Sequence, residues 1–295
     1  MNITFLGFGE AGGILAQDIQ AQGYAVTVWD QKVLNEDEAE ALQLKAKHCQ
    51  VRLANSLADA LQGANVVFST VTASQALIVA QHAAAHLTSG QYFLDLNSVA
   101  PHTKSATAEI IHAKGADYID VAVMAPVPPK RLATPLLIGG PCAEAIHPCL
   151  LQLGLSSRVL SDKVGEASAV KMCRSIIIKG LEALTLESMS AARQYGVEQE
   201  VLGSLHASFP SLGWDNTLPH YLISRIAEHG QRRAEEVQEV VQTLLDVNIP
   251  ATMSAAIVAT QQAMVDHLTA RSLSYQALTP FVWQETVDKI YLPKL

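Results

Sequence analysis

Near its start the chain runs from a strand into a helix through a turn that only glycine can make. The apolar run Ile3–Leu6 leads directly into Gly7-Phe8-Gly9-Glu10-Ala11-Gly12, and Ala11–Gln22 continues with helical periodicity. Each glycine of this Gly-x-Gly-x-x-Gly has a separate reason to be there. Gly7 permits the tight turn, Gly9 lets a ligand approach the backbone, and Gly12 lets the helix pack on the strand. A helix opening there presents amides and a positive dipole end to an anion. Asp30 ends the next strand, Ala25–Trp29, 18 residues after Gly12, close to the roughly 20 expected for an acid that accepts hydrogen bonds from ribose hydroxyls. The motif, its register and the acid together predict a dinucleotide, with Gly7, Phe8, Gly9, Glu10, Ala11, Gly12 and Asp30 as cofactor-binding residues. A carboxylate at Asp30 repels a 2′-phosphate, which favours NAD. Lys32 nearby keeps NADP open, and FAD is the less favoured dinucleotide.

The rest of the first half repeats the strand–helix alternation. Strands are predicted at Asn65–Val71, Gln91–Leu96, Tyr118–Met124, Pro135–Ile138 and Arg158–Leu160, and helices at Ser56–Leu61, Ser74–Leu87, Pro101–Lys114 and Ala143–Leu153. Such alternation implies parallel pairing with crossover helices, a doubly wound Rossmann α/β domain over residues 1–160. Beyond Leu160 the strand signal stops. Glu166–Tyr195 contains no proline and one glycine, so it is expected to form a single helix about 45 Å long at 1.5 Å per residue, apolar on more than one face and buried on several sides. Helices at Leu218–His229, Arg232–Val247 and Ala251–Leu268 follow, with breaks at Pro210, Gly213, Gly230 and Pro250, giving an all-α domain over residues 161–295. Neither half contains an internal repeat. A helical half this apolar predicts a homodimer built through it.

Composition narrows the class of partner. The 295 residues are 49% apolar and 16% charged, and 20 Lys plus Arg against 28 Asp plus Glu give a net charge of −8, which disfavours nucleic acid and anionic membrane surfaces. Four cysteines without a Cys-x-x-Cys pair read as reduced thiols. No basic leader and no run of 18 apolar residues occur, so a cytoplasmic protein is expected. His82 and His86, four residues apart on a helix, have no evident third ligand, and no metal site is expected. Signatures of zinc peptidases, hydrolase elbows and nucleoside triphosphatases are absent.

Chemistry concentrates at Gly165-Glu166-Ala167-Ser168-Ala169-Val170-Lys171-Met172-Cys173-Arg174-Ser175, where the long helix begins. Lys171 and Arg174 share a face, and Val170 and Met172 beside the lysine are expected to desolvate it, lowering its pKa toward a value useful for proton transfer. A lysine snorkelling at the surface is the equally open alternative. With the Gly7/Gly9/Gly12 motif and the change of class near residue 160, this Gly-x₅-Lys-Met resembles the β-hydroxyacid dehydrogenases, the group of 6-phosphogluconate and 3-hydroxyisobutyrate dehydrogenases. The segments Asp95–Pro101, Met124–Pro129, Lys171–Ser175 and His229–Ala234 resemble a 6-phosphogluconate dehydrogenase-like branch.

The resemblance implies that Lys171 takes the proton from a substrate hydroxyl while hydride leaves the same carbon for nicotinamide, in a cleft between the halves. It implies cofactor contacts at Thr70, Val71 and Asn97, and places Ser98, Met124, Pro126, Arg174, Ser175 and Arg232 or Arg233 on the side of a small, anionic substrate. By charge pattern alone the run from Arg232 to Glu236 is a solvated helix face. The family's carboxylate-binding Ser-Gly-Gly is replaced by Pro128-Pro129-Lys130, and its Asn after the lysine by Ser175. Where 6-phosphogluconate dehydrogenase carries a glutamate seven residues past the lysine, this chain has Ile178, which implies oxidation without decarboxylation. Glu182 is expected to serve structure. The rival functions are an imine or ketone reductase of the same fold, from which the retained Lys171 argues away, and a dinucleotide-binding sensor without turnover.

Overall fold

The computed structural model describes residues 1–214 and 216–291. Two compact units, Met1–Met172 and Cys173–Leu295, make up the chain, and the division falls inside a helix, beyond the expected boundary at residue 160.

The first unit opens with β1 (Asn2–Leu6), α1 (Glu10–Ala21) and β2 (Ala25–Trp29), the unit expected around the glycine turn. α2 (Glu36–His48) and the two-residue β3 (Arg52–Leu53) follow. Neither was anticipated, because α2 buries only Leu42 and Ala46 and shows little apolar periodicity. End effects hold it instead: the Asn35 side chain accepts from Asp37 N, acids fill the first turn, and Lys45, Lys47 and His48 fill the last. Then come α3 (Leu57–Leu61), β4 (Val66–Ser69), α4 (Ala73–Ala84), β5 (Tyr92–Asp95), α5 (Pro101–His112), β6 (Asp117–Val123), the single turn α6 (Val127–Lys130), β7 (Leu136–Gly139), α7 (Ala143–Gln152) and β8 (Ser157–Ser161).

The eight strands order as β3-β2-β1-β4-β5-β6-β7-β8. β4 is buried at all four residues, as a strand covered by helices on both faces must be. One core layer gathers Phe5, Phe8, Leu15, Ile19, Leu42 and Ile138, and the other Leu6, Leu61, Val67, Phe93, Ile111 and Tyr118. One expectation fails: β7 runs antiparallel to β6, with Ile138 opposite Val121. The connection between them carries the one-turn α6 and a short 3-10 turn, Arg131–Ala133, with no helix long enough to cross a face of the sheet as a parallel return requires. β1 and β4 are parallel neighbours whose helices leave on opposite faces, so their C-terminal ends form a switch point where a ligand fits.

α8 (Glu166–Tyr195) is one 30-residue helix, as expected. Its burial differs from expectation. Ala183, Leu186, Met189 and Ala192 are buried, whereas Ile177 is 65%, Leu184 57% and Tyr195 83% exposed, so the helix buries one side only. The second unit continues with α9 (Glu198–Ser208), α10 (Leu218–Leu245), α11 (Thr252–Ala270) and α12 (Trp283–Tyr291). α10 runs through Gly230 without the expected break. A Cβ at Gly230 would meet Val265 Cγ2 at 2.9 Å and the Gln261 carbonyl at 3.0 Å, so the glycine is spent on close packing of α10 against α11. The unit's core joins Leu186, Met189, Ile223, Ile226, Met264, Trp283 and Val287. No helix among the described residues is long and apolar enough to cross a membrane.

Candidate active site

The glycine turn has the geometry that its residues dictate. Gly7 has φ +93°, closed to most side chains, and a Cβ there would lie 2.5 Å from the Thr70 carbonyl oxygen. At Gly12 a Cβ would sit 2.2 Å from Gly7 O and 2.4 Å from Thr70 Oγ1, so α1 touches the turn with nothing between. At Gly9 a Cβ would meet nothing within 4 Å, which leaves the backbone open to a ligand at the point where α1 starts. Gly9 caps α1 without a side-chain acceptor, and Glu10 and Ala11 lie in the first turn. This arrangement fits a pyrophosphate.

Half-buried Asp30 accepts hydrogen bonds from Phe8 N (2.9 Å) and Lys32 N (3.1 Å), which aim the carboxylate while leaving lone pairs for ribose hydroxyls. The Lys32 ammonium lies 2.8 Å from Glu38. Thr70 braces the turn: its N donates to Leu6 O and its hydroxyl to Gly7 O, both at 2.8 Å. The side chain of Asn97, buried, accepts from Val71 N at 2.8 Å and donates to Ser69 Oγ at 2.9 Å, joining the ends of β4 and β5. These three residues thus shape the rim of the switch point through bonds within the fold.

Lys171, half-buried on the second turn of α8, donates to Ser98 Oγ at 2.5 Å. Only one expected desolvating neighbour is in place, for Met172 is buried but Val170 is 41% exposed. A network of buried polar side chains, unanticipated from the sequence, supports this pair. Lys104, with no exposed surface, donates to Asp95 O (2.6 Å) and lies 3.1 Å from Asp95 Oδ1 and 3.5 Å from Asp120 Oδ1. Asp120 accepts from Gly165 N (3.0 Å), Ser168 N (3.1 Å) and Ser168 Oγ (2.6 Å), and so caps α8 from a neighbouring strand. Asp95 accepts from Asn97 N (2.9 Å) and from the Tyr118 hydroxyl (2.8 Å). Burial, then the two carboxylates, push the Tyr118 pKa well above its ordinary value, so the phenol stays a donor. The network fixes both ends of the Lys171–Ser98 bond: the loop after β5 and the start of α8. The available signal was a lone Asp120 inside the apolar run Tyr118–Val123.

Met124 is half-buried and Pro126 exposed in the segment leading to α6, which Arg131 ties to α1 through Asp18 (Nε to Oδ2, 2.9 Å). In the second unit Arg174 is exposed and Ser175 buried. Arg232 is exposed and lies 3.5 Å from Glu236. Arg233 is not on the solvated face its charge pattern predicts: it is buried in an ion pair with Glu182, which also accepts from Gln261 Nε2 at 3.3 Å. Glu182 is therefore structural, as expected. Among the described residues no cluster of three or more His, Cys, Asp or Glu could hold a metal ion.

Comparison with known proteins agrees with this geometry. The model for the NAD binding domain of 6-phosphogluconate dehydrogenase matches residues 2–159, and a domain of unknown function, DUF1932, matches residues 192–264. An uncharacterized 28.5 kDa protein of Methanothermus fervidus is 28% identical over 253 residues, covering 86% of this chain and 94% of its own. The 3-hydroxyisobutyrate dehydrogenase of Pseudomonas aeruginosa is 28% identical over 221 residues, covering 72% and 71%. The crystal structure of a conserved hypothetical protein from Sinorhizobium meliloti 1021 superposes with a TM-score of 0.76 at 32% identity, covering 97% of this chain and 95% of that one. The glycine turn, the strand order and a family match over more than half its length make this chain a member of the 6-phosphogluconate dehydrogenase NAD-binding family, a hydroxyacid dehydrogenase-like oxidoreductase that uses NAD(P).

Proposed function

We propose that the protein oxidises the alcohol carbon of a small hydroxy acid with NAD, using Lys171 as the general base and retaining every carbon of the substrate. The 2.5 Å bond between Lys171 Nζ and Ser98 Oγ carries this reading. Bound nicotinamide supplies the hydride acceptor. A neutral Lys171 takes the hydroxyl proton as the carbonyl forms and returns it in the reverse direction. Ser98 serves both protonation states, because its oxygen accepts from an ammonium and its proton can be donated to an amine. Holding the lysine in place before the substrate arrives removes the entropy of finding it, an effect worth several powers of ten in rate. Met124 and Pro126 offer apolar contact for the substrate. The P. aeruginosa relative, named for 3-hydroxyisobutyrate, supports a compact hydroxy acid as the substrate class.

Two features support NAD over NADP: Asp30, directly after β2, carries a carboxylate that would repel a 2′-phosphate, and the Lys32 ammonium lies 2.8 Å from Glu38. Asp30→Ala should narrow the difference between the two affinities. A tighter grip on NADP by the unaltered protein would refute the assignment.

The main test screens hydroxy acids with NAD, following formation of reduced nicotinamide and the mass of the product. Lys171→Met should leave folding and NAD affinity unchanged and lower turnover at least about a hundredfold. Near-normal turnover by the variant would remove Lys171 from the chemistry. CO₂ released enzymatically in step with NAD reduction would remove the claim that every carbon is retained, which Ile178, unable to protonate an enol carbon, supports.

We further propose a homodimer through α8, on which Ile177, Leu181 and Leu184 form an exposed stripe at four- and three-residue spacing, with Tyr195 exposed three turns further on.

A further inference from the structure

Lys45 lies on α2, outside every motif of the sequence, yet its ammonium reaches the glycine turn. It donates to Phe8 O at 2.6 Å and to Gly9 O at 2.9 Å, and stands 4.5 Å from the centre of the Phe8 ring. Burial lowers its pKa, so the charge sits partly out of water, where its hydrogen bonds are stronger. The glycine that follows the motif has its explanation here. A Cβ at Gly13 would lie 2.9 Å from Lys45 Nζ and 3.0 Å from Cε, so Gly13 makes the space through which the ammonium arrives.

In a planar trans peptide the N–H points opposite to the C=O. With the Phe8 carbonyl held on Lys45, and the Gly9 carbonyl on Lys45 and on Gly13 N (3.0 Å) together, the N–H groups of the same two peptides, those of Gly9 and Glu10, are turned away from the ammonium. These amides lie at the open start of α1, among the groups that a helix leaves without an internal acceptor. We propose that Lys45 is a positioning residue for the dinucleotide pyrophosphate: it holds the Phe8 and Gly9 carbonyls so that the Gly9 and Glu10 amides are preset for the phosphate oxygens, and it adds a positive charge behind them. Anion binding then incurs no cost for reorienting the turn.

The test is binding rather than turnover, so it stands whatever Lys171 does. NAD and ADP-ribose, which carry the pyrophosphate, are titrated by calorimetry, and adenosine, which lacks it, by NMR at millimolar concentration. Lys45→Met should weaken NAD and ADP-ribose about tenfold and leave adenosine unchanged. Unchanged NAD and ADP-ribose affinities, or an equal loss for adenosine, would overturn the proposal, because a lysine that only packs α2 against α1 cannot distinguish ligands by their phosphates. Should Lys45→Met fail to fold, Gly13→Ala decides on the same criterion, since its Cβ displaces the ammonium while keeping the charge.

Discussion

Gly9 and Gly12 look alike in the sequence but do different work, and stability and affinity should separate them. At Gly12 the added Cβ of Gly12→Ala meets a carbonyl at 2.2 Å that cannot move without opening the turn. The variant should lose about 1–3 kcal/mol or more in urea unfolding, and its NAD binding with it. Gly9 has φ −71°, open to any residue, and free space beyond its Cα. Gly9→Ala should therefore unfold within about 0.5 kcal/mol of the unaltered protein while binding NAD more weakly, because its methyl occupies the ligand's approach. Equal stability losses in the two would contradict these assignments. At this scale the glycines and Asp30 were legible because their spacing is the chemistry. Lys45 and Lys104 were not, since a single charge facing a distant partner leaves no periodic trace, and Asp120 showed only as a lone acid in an apolar run.

Elements were legible wherever burial imposes a period. Strands with all residues inside and the 30-residue α8 stand out in the sequence, while α2, held by its end charges, does not. The antiparallel sense of β7 goes with a connection that holds no crossover helix. Buried charge between elements sets a further expectation. Lys104→Met leaves the carboxylates of Asp95 and Asp120 facing each other without their cation, a loss of about 3–5 kcal/mol and on the order of 10 °C in melting temperature. Ser168→Ala removes one hydrogen bond to Asp120 and should cost about 1 kcal/mol. Calorimetric melting of both variants checks the ranking, and a Lys104→Met protein as stable as Ser168→Ala would show the network to be dispensable.

For the whole molecule, the exposed stripe on α8 gives a measurable expectation. Leu184→Asp should convert a dimer into a monomer in sedimentation equilibrium at micromolar concentration, and an unaltered protein that sediments as a monomer would refute the proposed interface. The overall plan, a sheet domain and then helices, was legible because the change from strand to helix periodicity is abrupt. The division between units was not, because it coincides with no break: α8 carries Lys171 at the end of the first unit and continues into the second. This continuity constrains how such a protein can evolve by exchange of parts. A crossover in the loop before α8 delivers a new helical half together with a new residue at position 171, so the cofactor domain inherits a lysine it did not shape. A crossover after Met172 keeps the lysine with its own domain but must join two helices in register, where one inserted residue rotates everything beyond it by about 100°. Exchange of parts is thus least disruptive where Lys171 and the helical half move together as a single heritable block.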